Sequence, residues 1–261
     1  MSTVGKLVFE KDGPIARFSF DNPSAHNALT KEMWNDLRDA ALDVARDPTI
    51  RVATFRGVGG KAFVSGTDIT GFTRFSSGAD GLAYERDIDA CMAAVDAIPV
   101  TTIAIIDGWA IGGGLNISSA CDFRIATPNA RFGSPIGRTI GNCLSAASCA
   151  RIAAAVGPAI ARRMVLLGEI VPAEALVGNG FLLQIVEPDQ LEAAVESVCT
   201  RAVENAPLTT RATKETFRRL TMEGLPDVDP LIASVYGSED FARGVRDFLA
   251  RTKAVPTWSG R

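Results

Sequence analysis

Histidine is the scarcest ionisable residue in this 261-residue chain, which contains His26 and no other imidazole. A single histidine excludes multi-histidine metal sites and makes His26 the one residue that could act as an imidazole base. The five cysteines are odd in number, and none of them forms a C-x-x-C pair. We therefore expect no complete disulfide framework and no metal centre, and we expect buried thiols in a reducing compartment.

Long apolar runs and an excess of basic residues are also absent from the sequence. No stretch approaches the roughly 18 apolar residues that a membrane-spanning helix needs, and no apolar segment follows a basic start. Lys and Arg number 27 against 30 Asp and Glu, so the net charge is −3, whereas nucleic-acid-binding proteins usually have a basic excess. The sequence therefore predicts a soluble cytoplasmic protein that binds neither membranes nor nucleic acids.

The composition is that of a globular protein, with 47% hydrophobic and 22% charged residues. Strand-like segments dominate the first half of the chain and helical periodicity dominates the second. The predicted strands lie at 6–20 (a hairpin), 51–56, 100–106, 123–126 and 182–186, and the predicted helices at 30–46, 84–97, 112–121, 144–167, 172–178, 188–205 and from 209 onward. No Pro/Ser-rich linker separates the halves, so we expect the helical tail to be a subdomain.

Several nucleotide-binding and hydrolase motifs are missing from the sequence. The G-x-G-x-x-G pattern of dinucleotide-binding folds fails at Ile117, and the phosphate-binding G-x-x-x-x-G-K pattern fails because Gly114 follows Gly113. No G-x-S-x-G elbow is present. A Ser–His–Asp triad would have to use His26 as its base. Because His26 lies in a polar segment before a predicted helix, we do not expect such a triad.

Two segments, residues 61–69 and 107–116, place glycine where a strand gives way to a turn or a helix. Glycine lets a backbone N–H approach a ligand without an intervening side chain, and a helix N-terminus favours a developing anion. Two such N–H groups that converge on one oxygen would form an oxyanion hole. The same spacing is also typical of a tight turn with close helix–strand packing.

These two segments are similar to the oxyanion-hole motifs of the crotonase (enoyl-CoA hydratase/isomerase) superfamily, and the resemblance covers nearly the whole chain. The other matching motifs are Asn22-Pro23 with Asn27-Ala28-Leu29-Thr30, Ala120-Cys121-Asp122 before Ile125-Ala126, Phe132-Gly133-Ser134-Pro135, Ala206-Pro207 with Lys214, and Ser238-Glu239-Asp240 with Gly244 and Phe248. The resemblance rests on the order and spacing of these motifs taken together.

The resemblance implies an α/β fold of the crotonase/ClpP-like type, a spiral of ββα repeats with a helical C-terminal region. It implies a core at 1–205 and a helical region at 206–261 that takes part in trimerisation. The expected assembly is a homotrimer, or a hexamer built as a dimer of trimers. The implied partner is an acyl-CoA thioester, so coenzyme A enters as part of the substrate and no separate cofactor is expected.

Carried onto this chain, the family pattern makes the backbone N–H groups of Ser65 and Gly113 the donors of the oxyanion hole. Family reactions pass through a thioester enolate or a tetrahedral oxyanion, and backbone donors stabilise that charge where it develops. One such donor is worth about 3–4 kcal/mol.

The resemblance also implies contacts with coenzyme A around the first oxyanion motif. The implied coenzyme-A-binding residues are His26, Ala28, Lys61, Ala62, Phe63 and Val64. Two alternatives stay open, because His26 could be a solvent-facing loop residue and Lys61 a solvated charge at the end of a strand.

This chain departs from the family pattern at both usual catalytic positions. Family hydratases use two glutamates, and here the two positions hold Asn116 and Ile136. Hydration needs one group to activate water and another to protonate the α-carbon. Asn116 can orient water but cannot accept its proton at neutral pH, and Ile136 can do neither. We therefore expect neither a standard hydratase mechanism nor the usual single-glutamate isomerase mechanism.

Three charged residues are candidates to replace the missing glutamates. Asp68 follows the first oxyanion motif, although it could instead tie down the next turn. Glu85 and its neighbour Tyr84 lie on the helix that skirts the acyl pocket in this fold, and either could supply a base. Arg138 could bind a carboxylate on the acyl group or pair at a subunit contact. Asn142 could polarise the substrate or cap the following helix.

Two functions are compatible with these residues. The first is an acyl-CoA-transforming enzyme that uses residues other than the usual glutamates. The second is a catalytically silent paralogue that binds acyl-CoA and sequesters it or regulates a partner. The intact oxyanion motifs favour the enzyme, because a protein that only binds has little need of two aimed N–H donors, whereas the missing carboxylates favour the silent paralogue.

Overall fold

The computed structural model describes residues 5–251 and 258–260, and it contains ten strands and ten α-helices in these ranges. The strands are β1 (Lys6–Asp12), β2 (Ile15–Asp21), β3 (Val52–Gly57), β4 (Ala62–Val64), β5 (Thr101–Ile106), β6 (Trp109–Ile111), β7 (Phe123–Ala126), β8 (Arg131–Gly133), β9 (Val171–Pro172) and β10 (Gln184–Ile185). The helices are α1 (Lys31–Arg46), α2 (Gly78–Asp96), α3 (Gly113–Ala120), α4 (Ile136–Thr139), α5 (Ala146–Val156), α6 (Pro158–Leu166), α7 (Leu191–Glu204), α8 (Pro207–Met222), α9 (Asp229–Tyr236) and α10 (Glu239–Leu249).

A six-stranded sheet with the order β1-β2-β3-β5-β7-β10 carries the larger part of the fold. β1 and β2 form the predicted antiparallel hairpin, and the other neighbours in this sheet pair in parallel. All six residues of β5 are buried, as expected for a parallel strand covered on both faces. Phe18 of β2 stacks on Phe55 of β3 with ring centroids 4.4 Å apart, so aromatic packing in register helps to fix this pair.

A smaller sheet with the order β4-β6-β8-β9 lies beside the large one. Three times the chain runs through a strand of the large sheet, then a strand of the small sheet, then a helix, in the units β3-β4-α2, β5-β6-α3 and β7-β8-α4. These units are the ββα repeats that the resemblance implies, so the predicted fold class is confirmed.

Helix α1 forms as its sequence predicts. The Thr30 hydroxyl accepts a hydrogen bond from the Met33 N–H at 3.2 Å and caps the helix. Met33, Leu37, Ala41 and Val44 recur at helical spacing, and all four are buried. The amphipathic pattern therefore gives both the helix and the face that packs on the core.

The C-terminal helices divide into an exposed helix and two that pack near the core. Helix α8 contains no buried residue, and Leu208, Phe217 and Leu220 are largely exposed on it. Helix α9 packs on α2, where a Cβ on Gly78 would lie 2.0 Å from the Ala233 carbonyl oxygen. The division at residue 205 and the role of 206–261 in trimerisation stay predictions, and residues 252–257 and 261 lie outside the described residues.

Helix α2 begins at Gly78, earlier than the predicted start at residue 84. The Asp80 carboxylate accepts hydrogen bonds from the N–H groups of Ser76 and Ser77 at 2.7 and 2.9 Å. This local capping starts the helix in a glycine-containing segment whose propensity favours a loop.

Residues 172–178 are not the predicted helix. Val171–Pro172 forms strand β9 against β8, and a 3₁₀ turn follows at Ala173–Leu176. The predicted strand at 182–186 is shorter in the structure, where it forms β10. Strand β8 was not predicted, because three residues are too few to show an alternation of apolar and polar side chains. Within the described part of the chain, no helix has the length and hydropathy needed to cross a membrane.

Candidate active site

The two predicted oxyanion segments lie side by side because their strands pair. β4 and β6 are parallel neighbours, so the loops that leave their carboxyl ends emerge at the same edge of the small sheet. Gly112 has φ 53° at the turn from β6 into α3, and a Cβ there would lie 3.7 Å from the Cα of Gly66. The positive φ angles of Gly112 and of Gly66, which has φ 129°, both favour glycine.

Gly113 is the first residue of α3, so its N–H has no acceptor within the helix. A Cβ on Gly113 would lie 2.9 Å from the Trp34 ring and 3.6 Å from the Thr67 hydroxyl oxygen. Glycine therefore lets the start of α3 approach the Trp34 ring closely and present a free amide beside Thr67.

Ser65 does not present the free amide that its predicted role requires. The Ser65 N–H donates to the His26 carbonyl oxygen at 3.1 Å, and its hydroxyl donates to the Ala25 carbonyl oxygen at 3.2 Å. Both hydrogen bonds fasten Ser65 to the preceding loop. This arrangement contradicts the assignment of the Ser65 N–H as an oxyanion donor.

Thr67 lies two residues further on and has a different backbone arrangement. It forms a parallel bridge with Leu29, in which the Leu29 N–H donates to the Gly66 carbonyl at 2.9 Å and the Asp68 N–H donates to the Leu29 carbonyl at 2.8 Å. Because the neighbours of Thr67 make both hydrogen bonds of the bridge, the Thr67 N–H points away from it.

The side chain of Thr67 is held in place by two donors. Its hydroxyl oxygen accepts hydrogen bonds from the Trp34 Nε1–H at 3.3 Å and the Tyr84 hydroxyl at 3.2 Å. Trp34 belongs to α1 and Tyr84 to α2, so both helices fix Thr67 beside the start of α3.

A cavity of about 160 Å³ opens at this edge of the small sheet. It is lined by five of the predicted catalytic positions, together with Thr67 and apolar side chains from several elements. The five positions are Ser65, Glu85, Gly113, Asn116 and Ile136. The fold therefore gathers most of the predicted site around one cavity.

Glu85 contributes a buried carboxyl group to this cavity, with 5% of the residue exposed. Burial raises the pKa of Glu85 from 4.5 to about 7, the carboxylate of Asp89 adds to the rise, and hydrogen bonds from Tyr236 and Ser145 oppose it. The Tyr236 hydroxyl donates to Oε1 at 2.5 Å and the Ser145 N–H donates to Oε2 at 3.2 Å. A carboxyl group that titrates near neutral pH can both accept and donate a proton.

Asn116, at the first glutamate position of the family, is tied into a buried polar network. Its Nδ2 donates to the Ser148 hydroxyl at 3.0 Å, and its Oδ1 accepts from Arg151 Nη1 at 2.9 Å. The Arg151 guanidinium also pairs with the carboxylate of Asp96 at 2.6 Å, and Arg151 is 3% exposed. Asn116 therefore joins α3 to α5, with its oxygen committed to a guanidinium.

Two predicted catalytic residues, Asp68 and Arg138, do not line the cavity, and a third lines it without a polar group. Ile136 begins α4 and presents only an apolar side chain there, whereas Arg138 is exposed on α4 and is not among the lining residues. Asp68 is exposed and accepts the Thr70 N–H at 3.0 Å, so it caps the 3₁₀ turn that follows. This capping matches the structural alternative for Asp68.

Asn142 does not cap the next helix, since Ser145 is the cap of α5 and accepts the Ser148 N–H at 3.1 Å. Instead the Asn142 Nδ2 donates to the Tyr236 oxygen at 3.1 Å. Asn142 therefore takes part in the hydrogen bonding around Glu85.

The residues predicted to bind coenzyme A differ in exposure. His26 and Lys61 are exposed, Ala28 is half-buried, and the three residues of β4 (Ala62, Phe63 and Val64) are buried. His26 has a left-handed backbone with φ 52°, and its carbonyl oxygen is the acceptor of the Ser65 N–H. The segment is thus rigid, with exposed polar groups at both ends.

A second cavity of about 400 Å³ shares Trp34, Thr67 and Tyr84 with the first. Its charged lining residues are Lys31, Arg38, Arg74, Asp68, Asp80 and Asp87. These three basic and three acidic residues balance in formal charge, so the lining does not by itself indicate an anionic ligand.

Comparison with known proteins assigns the chain to a family. The family model described as enoyl-CoA hydratase/isomerase matches residues 10–259. The chain belongs to the enoyl-CoA hydratase/isomerase family. It is 27% identical over 253 residues to a crotonyl-CoA hydratase of Syntrophomonas wolfei, covering 95% of this chain and 96% of the relative. It is 32% identical over 220 residues to an (E)-benzylidenesuccinyl-CoA hydratase of Thauera aromatica, covering 80% of each.

Solved structures of the family have the same fold. An enoyl-CoA hydratase from Mycobacterium avium subsp. paratuberculosis aligns over 98% of this chain and 99% of its own, with 27% identity and a TM-score of 0.83. An enoyl-CoA hydratase/carnithine racemase from Magnetospirillum magneticum aligns over 99% and 97%, with 29% identity and a TM-score of 0.79.

The structure adds three residues to the site of this family member that sequence reasoning passed over. Thr67 lies inside a segment that the sequence had singled out, but only the hydrogen bond of Ser65 distinguishes the two amides. Tyr236 and Arg151 are 151 and 35 residues from their partners Glu85 and Asn116. No local pattern could have paired residues so far apart.

Proposed function

We propose that this protein is an acyl-CoA-transforming enzyme that stabilises a thioester enolate between the N–H groups of Thr67 and Gly113. Glu85 is the acid–base group that moves the proton. One observation carries this proposal: a buried carboxyl group with a pKa near 7 lines the same cavity as both amides.

The oxyanion hole accounts for the larger part of the proposed catalysis. An amide that is fixed before the reaction needs no reorganisation when negative charge develops on the thioester oxygen. Each donor is worth about 3–4 kcal/mol, and a well-placed general acid or base adds about 10²- to 10⁴-fold. Two amides and one carboxyl group are therefore enough for a proton-transfer enzyme of moderate rate.

The names of the relatives support a coenzyme A thioester as the substrate. Both relatives described above are hydratases of CoA thioesters. Glu85 alone would have to activate water and protonate the α-carbon in turn, since Asn116 and Ile136 can accept no proton. We therefore propose hydration, dehydration or isomerisation of a small acyl group, with crotonyl-CoA hydrated far more slowly than by a two-glutamate relative.

A second candidate function is a catalytically silent paralogue that binds acyl-CoA. Its support is the loss of both family carboxylates at Asn116 and Ile136, together with the commitment of the Asn116 oxygen to Arg151. This candidate keeps the oxyanion hole for binding and gives Glu85 no chemical role.

The proposed contacts with coenzyme A remain those of the first oxyanion segment. The proposed contact residues are His26, Ala28, Lys61, Ala62, Phe63 and Val64. We propose a homotrimer or a dimer of trimers as the assembly, supported by the exposed apolar side chains of α8. Arg138, exposed on α4, fits a contact between subunits better than a contact with the acyl group.

Calorimetry and a product screen test the proposed function together. We expect wild-type protein to bind an acyl-CoA at a micromolar Kd, and the absence of heat with CoA and every acyl-CoA would refute both candidates. A mass-spectrometric screen of enoyl-, malonyl- and hydroxyacyl-CoAs then separates them. The enzyme predicts a product that Glu85→Gln abolishes, whereas the silent paralogue predicts binding without any product.

The identity of the first amide donor has its own test. Amide ¹H–¹⁵N spectra are recorded with and without butyryl-CoA, which has no double bond to react. We expect the large downfield shifts of hydrogen-bonded amides at Thr67 and Gly113, with little change at Ser65 because its N–H already has an acceptor. A large shift at Ser65 instead of Thr67 would restore the original assignment.

A further inference from the structure

We propose that Tyr236, from the helical C-terminal region, is a positioning residue that holds the Glu85 carboxyl group in its reactive orientation. The inference rests on the proposed role of Glu85 and extends it to helix α9. Tyr236 is 2% exposed, and its hydroxyl donates to Glu85 Oε1 at 2.5 Å. Tyr236 acts through Glu85 and makes no contact with substrate in this proposal.

Two glycines of α2 leave the space that this contact needs. A Cβ on Gly81 would lie 2.1 Å from Cγ of Tyr236, and one on Gly78 would lie 2.0 Å from the Ala233 carbonyl oxygen. Gly81 precedes Glu85 by four residues, so the two lie on the same face of the helix. The Tyr236 ring therefore crosses α2 where no side chain blocks it, and its hydroxyl meets the carboxyl group one turn further on.

Asn142 fixes the direction of the Tyr236 hydroxyl. The Asn142 Nδ2 group can only donate, and it lies 3.1 Å from the Tyr236 oxygen. The Tyr236 oxygen thus accepts from Asn142, which leaves the tyrosine proton for Glu85. A donor whose own oxygen is hydrogen-bonded is a stronger donor, so Asn142 reinforces the hydrogen bond to the ionised carboxylate.

The other titratable groups near Glu85 do not offer it a positive charge. Asp89 lies one turn further along α2 and raises the pKa of Glu85, and Tyr84 precedes Glu85 on the same helix. Cys143 and Cys149, from the loop before α5 and from α5 itself, have pKa values that burial and Glu85 raise. Among the described residues, the ionised form of Glu85 is therefore stabilised by neutral donors.

Tyr236→Phe tests the inference by removing one oxygen atom. If Glu85 acts as a base, activity rises with pH as Glu85 ionises, and the loss of a donor to the carboxylate should shift the midpoint upward by about one pH unit or more. The same titration is followed in the full chain by the ¹³C chemical shift of the Glu85 carboxyl carbon, assigned with Glu85→Gln. This second readout does not depend on turnover.

Tyr84→Phe is the matched control, because Tyr84 also contributes a buried hydroxyl at the cavity but donates to Thr67 instead. We expect its Glu85 midpoint to stay within about 0.3 pH unit of wild type, whatever its effect on rate. An unchanged Glu85 midpoint in Tyr236→Phe overturns the inference, even if the variant is less stable or slower. Wild-type activity in Glu85→Gln would instead remove the proposed function, and the ¹³C titration would still decide the role of Tyr236.

A gentler variant serves if Tyr236→Phe does not fold. The chain has two tyrosines, so 3-fluorotyrosine incorporated into Tyr84→Phe labels Tyr236 alone. Fluorination makes the phenol more acidic and a stronger donor, so the Glu85 midpoint should move downward relative to unlabelled Tyr84→Phe. A midpoint that stays in place or moves upward contradicts the inference.

Discussion

Two buried polar clusters flank the cavity, and they differ in the charge of their hydrogen-bond partners. The arginine cluster consists of Asn116, Ser148, Arg151 and Asp96, and the glutamate cluster consists of Glu85, Tyr236, Asn142 and Ser145. In the first, a guanidinium faces a carboxylate, so opposite charges offset each other's burial. In the second, the Glu85 carboxyl group has only neutral donors, and the nearby Asp89 carboxylate, which accepts from the Ser145 hydroxyl, opposes its ionisation.

This difference separates a structural cluster from a reactive one. A paired charge has little freedom to change its protonation, whereas a carboxyl group held by neutral donors titrates close to neutral pH. The clusters meet at the first turn of α5, where the Ser145 N–H donates to Glu85 and the Ser148 hydroxyl accepts from Asn116. In our proposal, Asn116, at the family's first glutamate position, therefore has a structural role. The proton is transferred instead by Glu85, on helix α2.

The largest expected effect is on turnover. Glu85→Gln should lower kcat by about 10²- to 10⁴-fold on whichever acyl-CoA the product screen identifies, because the amide can neither accept nor donate the transferred proton. Asn116→Ala should stay within about tenfold of wild type, since our proposal gives Asn116 no proton to carry. Steady-state kinetics at a temperature where both variants are folded checks the pair. Equal losses in the two variants would erase the distinction between the clusters.

The next effect is on stability and comes from the arginine cluster. Arg151→Met should lower the free energy of unfolding by about 3–5 kcal/mol, because it leaves the carboxylate of Asp96, whose side chain is only 10% exposed, without its partner. Denaturant unfolding followed by circular dichroism measures the change. The matched control is Arg163→Met, which breaks the exposed pair with Glu169 and should lower the free energy of unfolding far less, because solvent screens the pair. Similar losses in both variants would show that burial adds nothing to the Arg151 pair.

Many strands and helices were predictable from local patterns, whereas the spiral of ββα repeats was expected from the family resemblance. The capped apolar face of α1 and the buried strand β5 each have a signal within a few residues. Helix α2 was predicted too short because its first turns contain Gly78 and Gly81, which are there to admit α9. A glycine that is required for packing against a distant helix lowers the helix propensity of the segment that contains it, so the start of that segment is harder to predict from sequence.

The site was predictable only in part, for a related reason. The cavity does include Gly113, Asn116 and Ile136, which sequence motifs had marked, and Glu85, whose helix the resemblance placed beside the acyl pocket. The choice between the Ser65 and Thr67 amides depends on a loop carbonyl, and the environment of Glu85 depends on a helix about 150 residues away. Motifs therefore locate the site, whereas the three-dimensional partners decide which of its groups can react.

A third prediction concerns pH, and its sign is opposite to that of a carboxylate stabilised by an ion pair. The pKa of Glu85 is raised from 4.5 to about 7 in the folded protein, so its favourable contribution is complete below pH 4.5 and is lost as the pH rises through 7. Glu85→Gln carries no ionisable group and avoids this loss, so at pH 8 it should be more stable than wild type, by about 3 kcal/mol at most. Unfolding measured at pH 5 and pH 8 checks the sign. A variant less stable than wild type at pH 8 would mean that Glu85 is not destabilised by ionisation.

The smallest expected effect tests whether the lost glutamate can simply be returned. In Asn116→Glu the new carboxylate would contact the Arg151 guanidinium, which would lower the pKa of the new glutamate and make that glutamate a poor acid. The second catalytic position would still lack a carboxylate, because Ile136 occupies it. Crotonyl-CoA hydration should therefore rise less than about tenfold. Adding Arg151→Met to Asn116→Glu removes the guanidinium, and the double variant should hydrate faster than Asn116→Glu alone if it folds at low temperature. A large gain in the single variant would show instead that Arg151 does not hold position 116 out of the reaction.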